Sequence, residues 1–269
     1  MFLAHTTSLK ENSYQVLDQY DKKKVLVNSS GYKLVSNVCP HQLSLISTTN
    51  GHGNRVCPYH NWSFTIDGLP YTSGRTEYYC KNLKPLSVDQ TYTWNSLLFD
   101  CPVTFNVQEN FDNMVLMESR IDTVNSDFRN VMDIFLDVDH IQSIHAGVYD
   151  QIGITDTTVN WTYTKNGSLQ EVSQGALWLA VYPYTMIEWQ KGSLFITVAM
   201  PKDNNNSKVH VFKYMDKHYK DTWELNEKVW ETAWTQDKAQ AEIITKFPHR
   251  NLEPQKQHYR EFLRLHGTY

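Results

Sequence analysis

Residues 39–62 read CPHQLSLISTTNGHGNRVCPYHNW and contain two closely matched cysteine–histidine pairs. The first pair is Cys39-Pro40-His41 and the second is Cys57-Pro58-Tyr59-His60, with fifteen residues between them. Thiolates and imidazoles are the usual protein ligands of zinc and of iron in iron–sulfur centres. The proline after each cysteine fixes its own φ angle and stiffens the loop. The stretch therefore predicts a metal centre held between two rigid loops.

Two kinds of centre fit these four ligands. In a Rieske [2Fe-2S] cluster, two thiolates hold one iron and two imidazoles hold the other. A structural zinc ion also takes four cysteine and histidine ligands, in a tetrahedron. Zinc fingers close with two histidines spaced three to five residues apart, whereas each loop here pairs one cysteine with one histidine. The spacing favours the Rieske cluster, with zinc as the alternative.

The composition excludes several functional classes. The 269 residues are enough for one large or two modest domains, and the net charge of −4 gives no basic surface for nucleic acid. No run of eighteen apolar residues and no basic, apolar leader is visible, so we expect neither a membrane span nor a signal peptide. The remaining cysteines, Cys80 and Cys101, are expected to be free thiols in a reducing compartment, which indicates a cytoplasmic location.

Periodicity predicts a small all-β domain followed by a larger α+β domain. Residues 24–27 and 32–35 are apolar runs around a Ser-Gly turn, which is typical of a hairpin. We place the domain boundary after residue 105, giving domains 1–105 and 106–269. In the second domain, residues 155–215 alternate as strands of an antiparallel sheet that helices flank. Helices are expected over 126–145 and 216–247, and the polar last twenty residues at the surface or at a subunit contact.

The first of these helices contains a second histidine pair, His140 and His145. Two histidines beside carboxylates suggest the 2-His-1-carboxylate site that leaves open positions on Fe(II). Residues five apart diverge by about 140° on a regular helix. The helix must therefore bulge or end between them, and Gly147 favours an ending. The alternative is a polar helix face whose histidines bind no metal.

Taken together, these motifs resemble those of the α subunit of Rieske non-heme iron oxygenases. The shared pattern is CxH and CPYHxW, then Asn130-x-x-Asp133 and Asp137-x-x-His140-x4-His145. A late Gln-Asp-x4-Glu segment, residues 236–242, completes it. Gln42 and Asn61 depart from the Arg and Gly that are common in the family, and the chain is short for it.

The resemblance assigns roles residue by residue. Cys39, His41, Cys57 and His60 would bind the [2Fe-2S] cluster. His140, His145 and Asp237 would bind a mononuclear Fe(II), with Glu231 as the alternative third ligand and Glu227 and Glu242 as further candidates. Asp137 would be the catalytic carboxylate that bridges, for electron transfer, to a cluster histidine of a neighbouring subunit in a homotrimer.

The resemblance also implies the reaction and its partners. An external ferredoxin or NAD(P)H-dependent reductase would supply electrons, and O2 would be used to hydroxylate or oxidatively demethylate a small organic substrate. The aromatic residues of the late strands would form either a cage for a quaternary ammonium group or a flat slot for an arene. The candidate lining residues are Trp178, Tyr182, Tyr184, Met186 and Trp189. The alternative is an electron carrier whose second domain is degenerate.

Overall fold

A computed structural model describes residues 1–71, 83–156, 158–172, 174–244 and 253–268. Cys80, which we expected to be a free thiol, lies outside these ranges, whereas Cys101 forms no disulfide with a described cysteine. The chain divides into two compact units, Phe2–Pro102 and Val103–Tyr269, with Met1 assigned to the second unit. Among the described helices, none is both long enough and apolar enough to cross a membrane.

The first unit consists of short strands in three small antiparallel sheets. Their orders along the sheets are β5-β2-β3-β4-β9, β6-β7-β8 and β1-β11-β10. The strands are β1 (Phe2–His5), β2 (Ser13–Val16), β3 (Lys24–Asn28), β4 (Tyr32–Ser36), β5 (Gly51–His52), β6 (Arg55–Val56), β7 (Ser63–Phe64), β8 (Pro70–Tyr71), β9 (Val88–Gln90), β10 (Tyr92–Trp94) and β11 (Leu97–Phe99).

The hairpin predicted around residues 28–31 is confirmed. Strands β3 and β4 pair antiparallel from Lys24–Ser36 to Asn28–Tyr32. Gly31 closes the turn with φ 119°, a value that side-chain-bearing residues rarely adopt. The β4 strand then leads directly into the first cysteine loop, and β6 leads into the second. Both cysteines pack in one apolar cluster with residues such as Val25, Val35 and Phe64.

The second unit is built on an antiparallel sheet of seven described strands. Their order is β12-β18-β17-β16-β15-β14-β13. The strands are β12 (Met114–Val124), β13 (Val159–Thr164), β14 (Gly167–Val172), β15 (Leu177–Val181), β16 (Thr185–Gln190), β17 (Ser193–Pro201) and β18 (Ser207–Asp216). The helices are α1 (Phe128–Phe135), α2 (His140–Ile144), α3 (Lys220–Ile243) and α4 (Pro254–Leu265). The expected α+β class with an antiparallel sheet and flanking helices is confirmed.

A large apolar core joins the sheet to its helices. Residues of α1 and α3, such as Met132 and Trp230, pack with Phe195 of β17. The Trp230 and Phe195 rings stack at 5.1 Å between centroids. Burial of such side chains stabilises the unit by roughly 1.5–3 kcal/mol each. This packing places α3 against β12, β18 and β17, and α3 buries the polar residues Asn226 and Asp237 along with its apolar ones.

Two sequence-based predictions need correction. The single helix expected over 126–145 is two helices, because α1 ends at Phe135 and α2 begins at His140. The last twenty residues do not simply lie at the surface. Helix α4 buries Tyr259 and Leu263 completely, because these two residues lie one turn apart on its apolar face.

Candidate metal centres

The two cysteine loops have the same backbone design. The N–H of Leu43 donates to the Cys39 carbonyl at 3.0 Å, and the N–H of Asn61 donates to the Cys57 carbonyl at 2.9 Å. Each turn ends in a left-handed residue, with φ 56° at Leu43 and 58° at Asn61. Asparagine tolerates this conformation better than most side-chain-bearing residues. Asn61 can therefore replace the glycine of the family pattern without changing the loop.

The loops bring like donors together. Cys39 and Cys57 are each 2% exposed. Burial raises the pKa of the Cys39 thiol, and the nearby Cys57 thiol raises it further, while the backbone N–H groups of His41 and Gln42 lower it by hydrogen bonding to the sulfur. The Nδ1 atoms of His41 and His60 face each other at 3.0 Å. The centre thus has a buried sulfur pair and a solvent-facing imidazole pair.

This arrangement fits a two-iron cluster better than one ion. Two groups of described residues have three or more ligand atoms within 4.8 Å of one another, and neither group contains a residue of the two loops. Ligands of a single tetrahedral zinc ion would meet that distance, since each lies about 2.0–2.3 Å from the metal. Donors separated into a thiol pair and an imidazole pair match the two irons of a Rieske cluster.

Trp62 supports the second loop and one imidazole. Its carbonyl accepts the Cys57 N–H at 2.8 Å. Its indole stacks on the His41 ring at 4.2 Å between centroids, with 16° between the planes. Trp62, which belongs to the second loop, therefore positions His41 of the first loop.

The second centre forms where α2 begins and ends. His140 is the first residue of α2, and His145 follows its last residue. The predicted ending between the two histidines is found, and it lets both rings turn toward Asp237 of α3. Their Nε2 atoms are 3.0 Å apart. The Asp237 Oδ1 atom lies 3.2 Å from the His140 Nε2 atom and 2.9 Å from the His145 Nε2 atom.

The hydrogen bonds on the other side of each ring fix the tautomers. The Nδ1 of His140 donates to the Asp137 backbone carbonyl. The Nδ1 of His145 donates to the Gln236 Oε1 at 2.8 Å. In the neutral imidazoles both Nε2 atoms are then lone-pair acceptors, and they converge on a carboxylate oxygen. Three acceptors at this distance require a shared cation, and a metal ion satisfies all three at once.

The electrostatics of the buried triad agree with this requirement. Burial raises the pKa of Asp237, but the adjacent His140 and His145 rings outweigh burial and lower it overall. Burial lowers the pKa of His145, but the adjacent Asp237 carboxylate outweighs that effect and raises it overall. Among the described residues, the Asp237 Oδ1 atom has no fully formed hydrogen bond. The site therefore holds a negative charge ready for a cation.

The alternative third ligand lies elsewhere. Glu231 pairs with Lys213 and with Arg120, whose Nη1 atom is 2.6 Å from the Glu231 Oε1 atom. Glu227 also pairs with Lys213, at 2.6 Å. The Glu242 Oε1 atom accepts the Asn125 N–H at 3.0 Å. Among the carboxylate candidates on α3, Asp237 is the one that lies with His140 and His145 in the described structure.

Asp137 lies beside the triad without joining it. Its Oδ1 atom accepts the His140 backbone N–H at 3.2 Å, one of the first N–H groups of α2 that have no acceptor within the helix. Its Oδ2 atom pairs with the Nζ of Lys256, a largely buried lysine of α4, at 2.7 Å. Through its backbone carbonyl and its carboxylate, Asp137 fixes both the ring and the main chain of His140.

A pocket with about 310 Å³ of space between atoms, part of it open to solvent, adjoins the triad. Besides the triad, its lining includes Phe135, Tyr149, Gln170, Trp178, Met186 and Glu188. The expected lining residues Trp178 and Met186 are among them, but Tyr182, Tyr184 and Trp189 are not. Tyr182 instead bonds Ser168 at 3.1 Å within the core. Tyr184 instead packs against Phe128.

Sequence reasoning missed Gln170 and Glu188. Burial raises the pKa of Glu188 to about 7, while a hydrogen bond from Trp230 opposes the rise. One sequence signal could have identified Glu188. It is the only charged residue of strand β16, and it lies on the same face of the strand as Met186. A charge on the inward face of a strand indicates a functional position.

Comparisons with known proteins agree with this fold. Residues 1–76 match the family model of the Rieske [2Fe-2S] domain. A putrescine 2-hydroxylase from Ralstonia nicotianae is 24% identical, over 74% of this chain and 65% of that protein. This chain therefore spans less than two thirds of that relative's length.

Two solved structures share the fold over most of the chain. The quaternary ammonium Rieske monooxygenase CntA in complex with L-carnitine has a TM-score of 0.75 and 16% identity, covering 100% of this chain and 88% of that one. Naphthalene 1,2-dioxygenase with indole bound has a TM-score of 0.68 and 14% identity, covering 90% of this chain and 74% of that one. At these identities, the likeness shows the fold alone.

Proposed function

We propose that this chain, which carries a Rieske [2Fe-2S] domain and has the fold of the Rieske oxygenases, is itself the oxygenase component of such a system. It would use O2 and electrons from a separate ferredoxin or NAD(P)H-dependent reductase to hydroxylate or oxidatively demethylate a small organic substrate. We further propose a homotrimer in the cytoplasm. The oxygenase names of its relatives support the reaction class.

The observation that carries this proposal is the convergence of His140, His145 and Asp237 beside a pocket. An electron carrier has no need of a second metal centre, whereas an oxygenase does. Iron held by two imidazoles and one carboxylate keeps coordination positions for O2 and substrate, and the Rieske cluster supplies electrons. We assign Cys39, His41, Cys57 and His60 to the cluster.

The chain's own residues then have distinct tasks. The Asp137 carbonyl and the Gln236 side chain hold the two imidazoles with their Nε2 atoms toward the metal position. Such outer hydrogen bonds raise ligand basicity and fix ring orientation. Tyr149 contacts the His145 ring edge-on at 5.8 Å between centroids and also meets Trp178 edge-on, so the two rings form the wall of the pocket beside His145.

We propose that the Asp137 carboxylate serves as the contact between His140 and the cluster of a neighbouring subunit. Its hydrogen bond to the His140 N–H supports this role. The ion pair with Lys256 would hold the carboxylate in its orientation. Replacing Asp137 with Asn keeps its shape, so a fall in turnover with unchanged iron content would support electron transfer over metal retention.

The proposed reaction is tested by turnover of the His140→Ala variant. The full chain, with its cluster assembled, is supplied with a surrogate reductase, NADH and a panel of small amines and arenes, and product and O2 consumption are measured. We expect the wild-type protein to form product and the variant to lose at least 100-fold in rate, while its cluster is reduced as before. Normal turnover by the variant would overturn the assignment. Cluster reduction without any product from any substrate would favour the electron-carrier alternative.

A further inference from the structure

One row of cross-strand neighbours brings three pocket residues onto the same sheet face. Gln170 of β14 pairs with Trp178 of β15, and Trp178 pairs with Glu188 of β16. Directly opposed residues of neighbouring strands project to the same side. All three line the pocket that also contains His145 and Asp237. The row therefore forms the floor of the pocket, with the triad above it.

Glu188 differs from the other acidic groups around this pocket. Asp237 contacts two histidines, and Asp137 pairs with Lys256. Glu188 accepts a hydrogen bond from the Trp230 indole N–H at 3.0 Å, and no cationic side chain of the described ranges pairs with it. A carboxylate buried without a cation is unfavourable. Its position in a pocket means that a ligand can supply the missing charge.

Gln170 gives the second, independent observation. The residue is completely buried, and within the described part of the chain neither its Oε1 nor its Nε2 atom has a hydrogen-bond partner. A buried amide without partners costs about 1–3 kcal/mol. The core hydroxyl of Tyr182, by contrast, is bonded to Ser168. An unbonded amide and a carboxylate without a cation on the same row of the pocket mark a place prepared for polar ligand groups.

Between them, Trp178 presents an aromatic side chain on the same row. Tyr149 meets Trp178 edge-on, with 6.0 Å between centroids and 65° between the planes. Aromatic faces attract cations, more strongly where water is excluded. The floor of the pocket thus combines one carboxyl group without a cationic partner in the described ranges, one amide without hydrogen-bond partners there and one indole.

We propose that Glu188, Gln170 and Trp178 form the recognition site for the protonated primary amine of an aliphatic substrate. This inference rests on the proposed oxygenase function, which it makes more specific. A primary ammonium has N–H donors that suit either acceptor, the Glu188 carboxylate or the Gln170 Oε1 atom. A quaternary ammonium has none and would leave both acceptors unbonded. A neutral alcohol would leave the carboxylate without its charge partner.

Binding measured without turnover tests the site. Isothermal titration calorimetry on the full chain with its cluster assembled, without reductant, would use 1,4-diaminobutane, butylamine, butyltrimethylammonium and 1-butanol. We expect the two primary amines to bind at least 10-fold more tightly than the other probes. Glu188→Gln should raise the Kd of 1,4-diaminobutane at least 10-fold. The matched control is Glu171→Gln, which makes the same change at a solvent-exposed residue of β14 next to Gln170. It should leave that Kd unchanged.

Gln170→Leu is a second variant that does not depend on removing a charge. It replaces an amide without partners by an apolar side chain of similar size, so it should fold at least as stably as the wild-type protein yet bind 1,4-diaminobutane more weakly. Unchanged affinity in both variants, or no binding of either primary amine at millimolar concentration, would overturn the site.

The test of the amine site can fail independently of the test of the oxygenase function. Amine binding that depends on Glu188, without O2-dependent product, would refute the oxygenase and keep the amine site. Turnover of neutral substrates alone, with no amine binding, would refute the amine site and keep the oxygenase.

Discussion

Replacing Lys213 with Met should destabilise the second unit by a calculable amount. The Lys213 side chain is 1% exposed and pairs with Glu118 at 2.7 Å, with Glu227 at 2.6 Å and with Glu231. Arg120 shares two of these carboxylates, Glu118 and Glu231. Methionine keeps nearly the same length without the charge, so the variant would leave the carboxylates facing one another.

The magnitude follows from the burial of each partner. Removing one member of a buried ion pair costs about 3–5 kcal/mol. Here the carboxylate side chains are 33–40% exposed, so their hydration offsets part of the destabilisation. We therefore expect a loss of about 2–3 kcal/mol in the free energy of unfolding. For a domain of this size, that corresponds to a fall in Tm of about 4–12 °C.

Thermal unfolding followed by circular dichroism measures this change. The matched control is Arg264→Met, which removes a cation from the exposed pair with Glu261, whose side chains are 64% and 54% exposed. That control should leave the free energy of unfolding essentially unchanged, because water screens an exposed pair. The double variant Lys213→Met/Glu227→Gln should recover part of the loss, because one repelling carboxylate is gone. A Tm for Lys213→Met equal to that of the control would refute the reasoning.

Three further predictions concern pH, the histidine support and the cluster loop. Burial raises the pKa of Glu118, but its pairs with Lys213 and Arg120 lower it overall, to below the ordinary glutamate value of 4.5, so its stabilisation is present above that value and is lost as the pH falls through its folded pKa; the Tm deficit of Lys213→Met should therefore shrink as the pH falls below 4.5, and a deficit that stays constant there would contradict this. Gln236→Leu should weaken Fe(II) binding by about 10–100-fold in an anaerobic titration, because the Nδ1 of a metal ligand loses its acceptor; an unchanged Kd would show that Gln236 does not position the ring. Asn61→Ala should cost about 1 kcal/mol in thermal unfolding and Asn61→Gly less than half of that, since φ is 58° there; equal losses would mean that the left-handed turn is not what Asn61 supplies.

Short-range patterns predicted the parts of the site that depend on neighbours in sequence. The two cysteine loops could be identified because each cysteine–histidine pair lies within one turn. The histidine pair was recognised for the same reason, together with the need for a helix to end between its members. Asp237 required the family resemblance, since no local pattern separates it from Glu231 on the same helix. The structure separates them because Glu231 faces Lys213 instead.

Most of the missed features depend on contacts that the pattern of a single segment does not show. Gln170 and Glu188 come to lie on one row of the sheet only through the register of three strands. A pattern within a single strand does not show that register. The break between α1 and α2 places His140 at a helix start, and the Asp137 side chain stabilises that start locally. The burial of Tyr259 in α4 was hidden by the polar composition of the segment, whose apolar residues are few but lie on one face.

The content of iron and acid-labile sulfide tests the central claim most directly. We expect about three irons and two sulfides per wild-type chain after anaerobic purification and Fe(II) reconstitution, for one cluster and one mononuclear ion. Asp237→Ala should keep the two sulfides and fall to about two irons, while Glu224→Ala, at an exposed position of the same helix, should match the wild-type chain. Three irons in Asp237→Ala, or two in the reconstituted wild-type protein, would contradict the account.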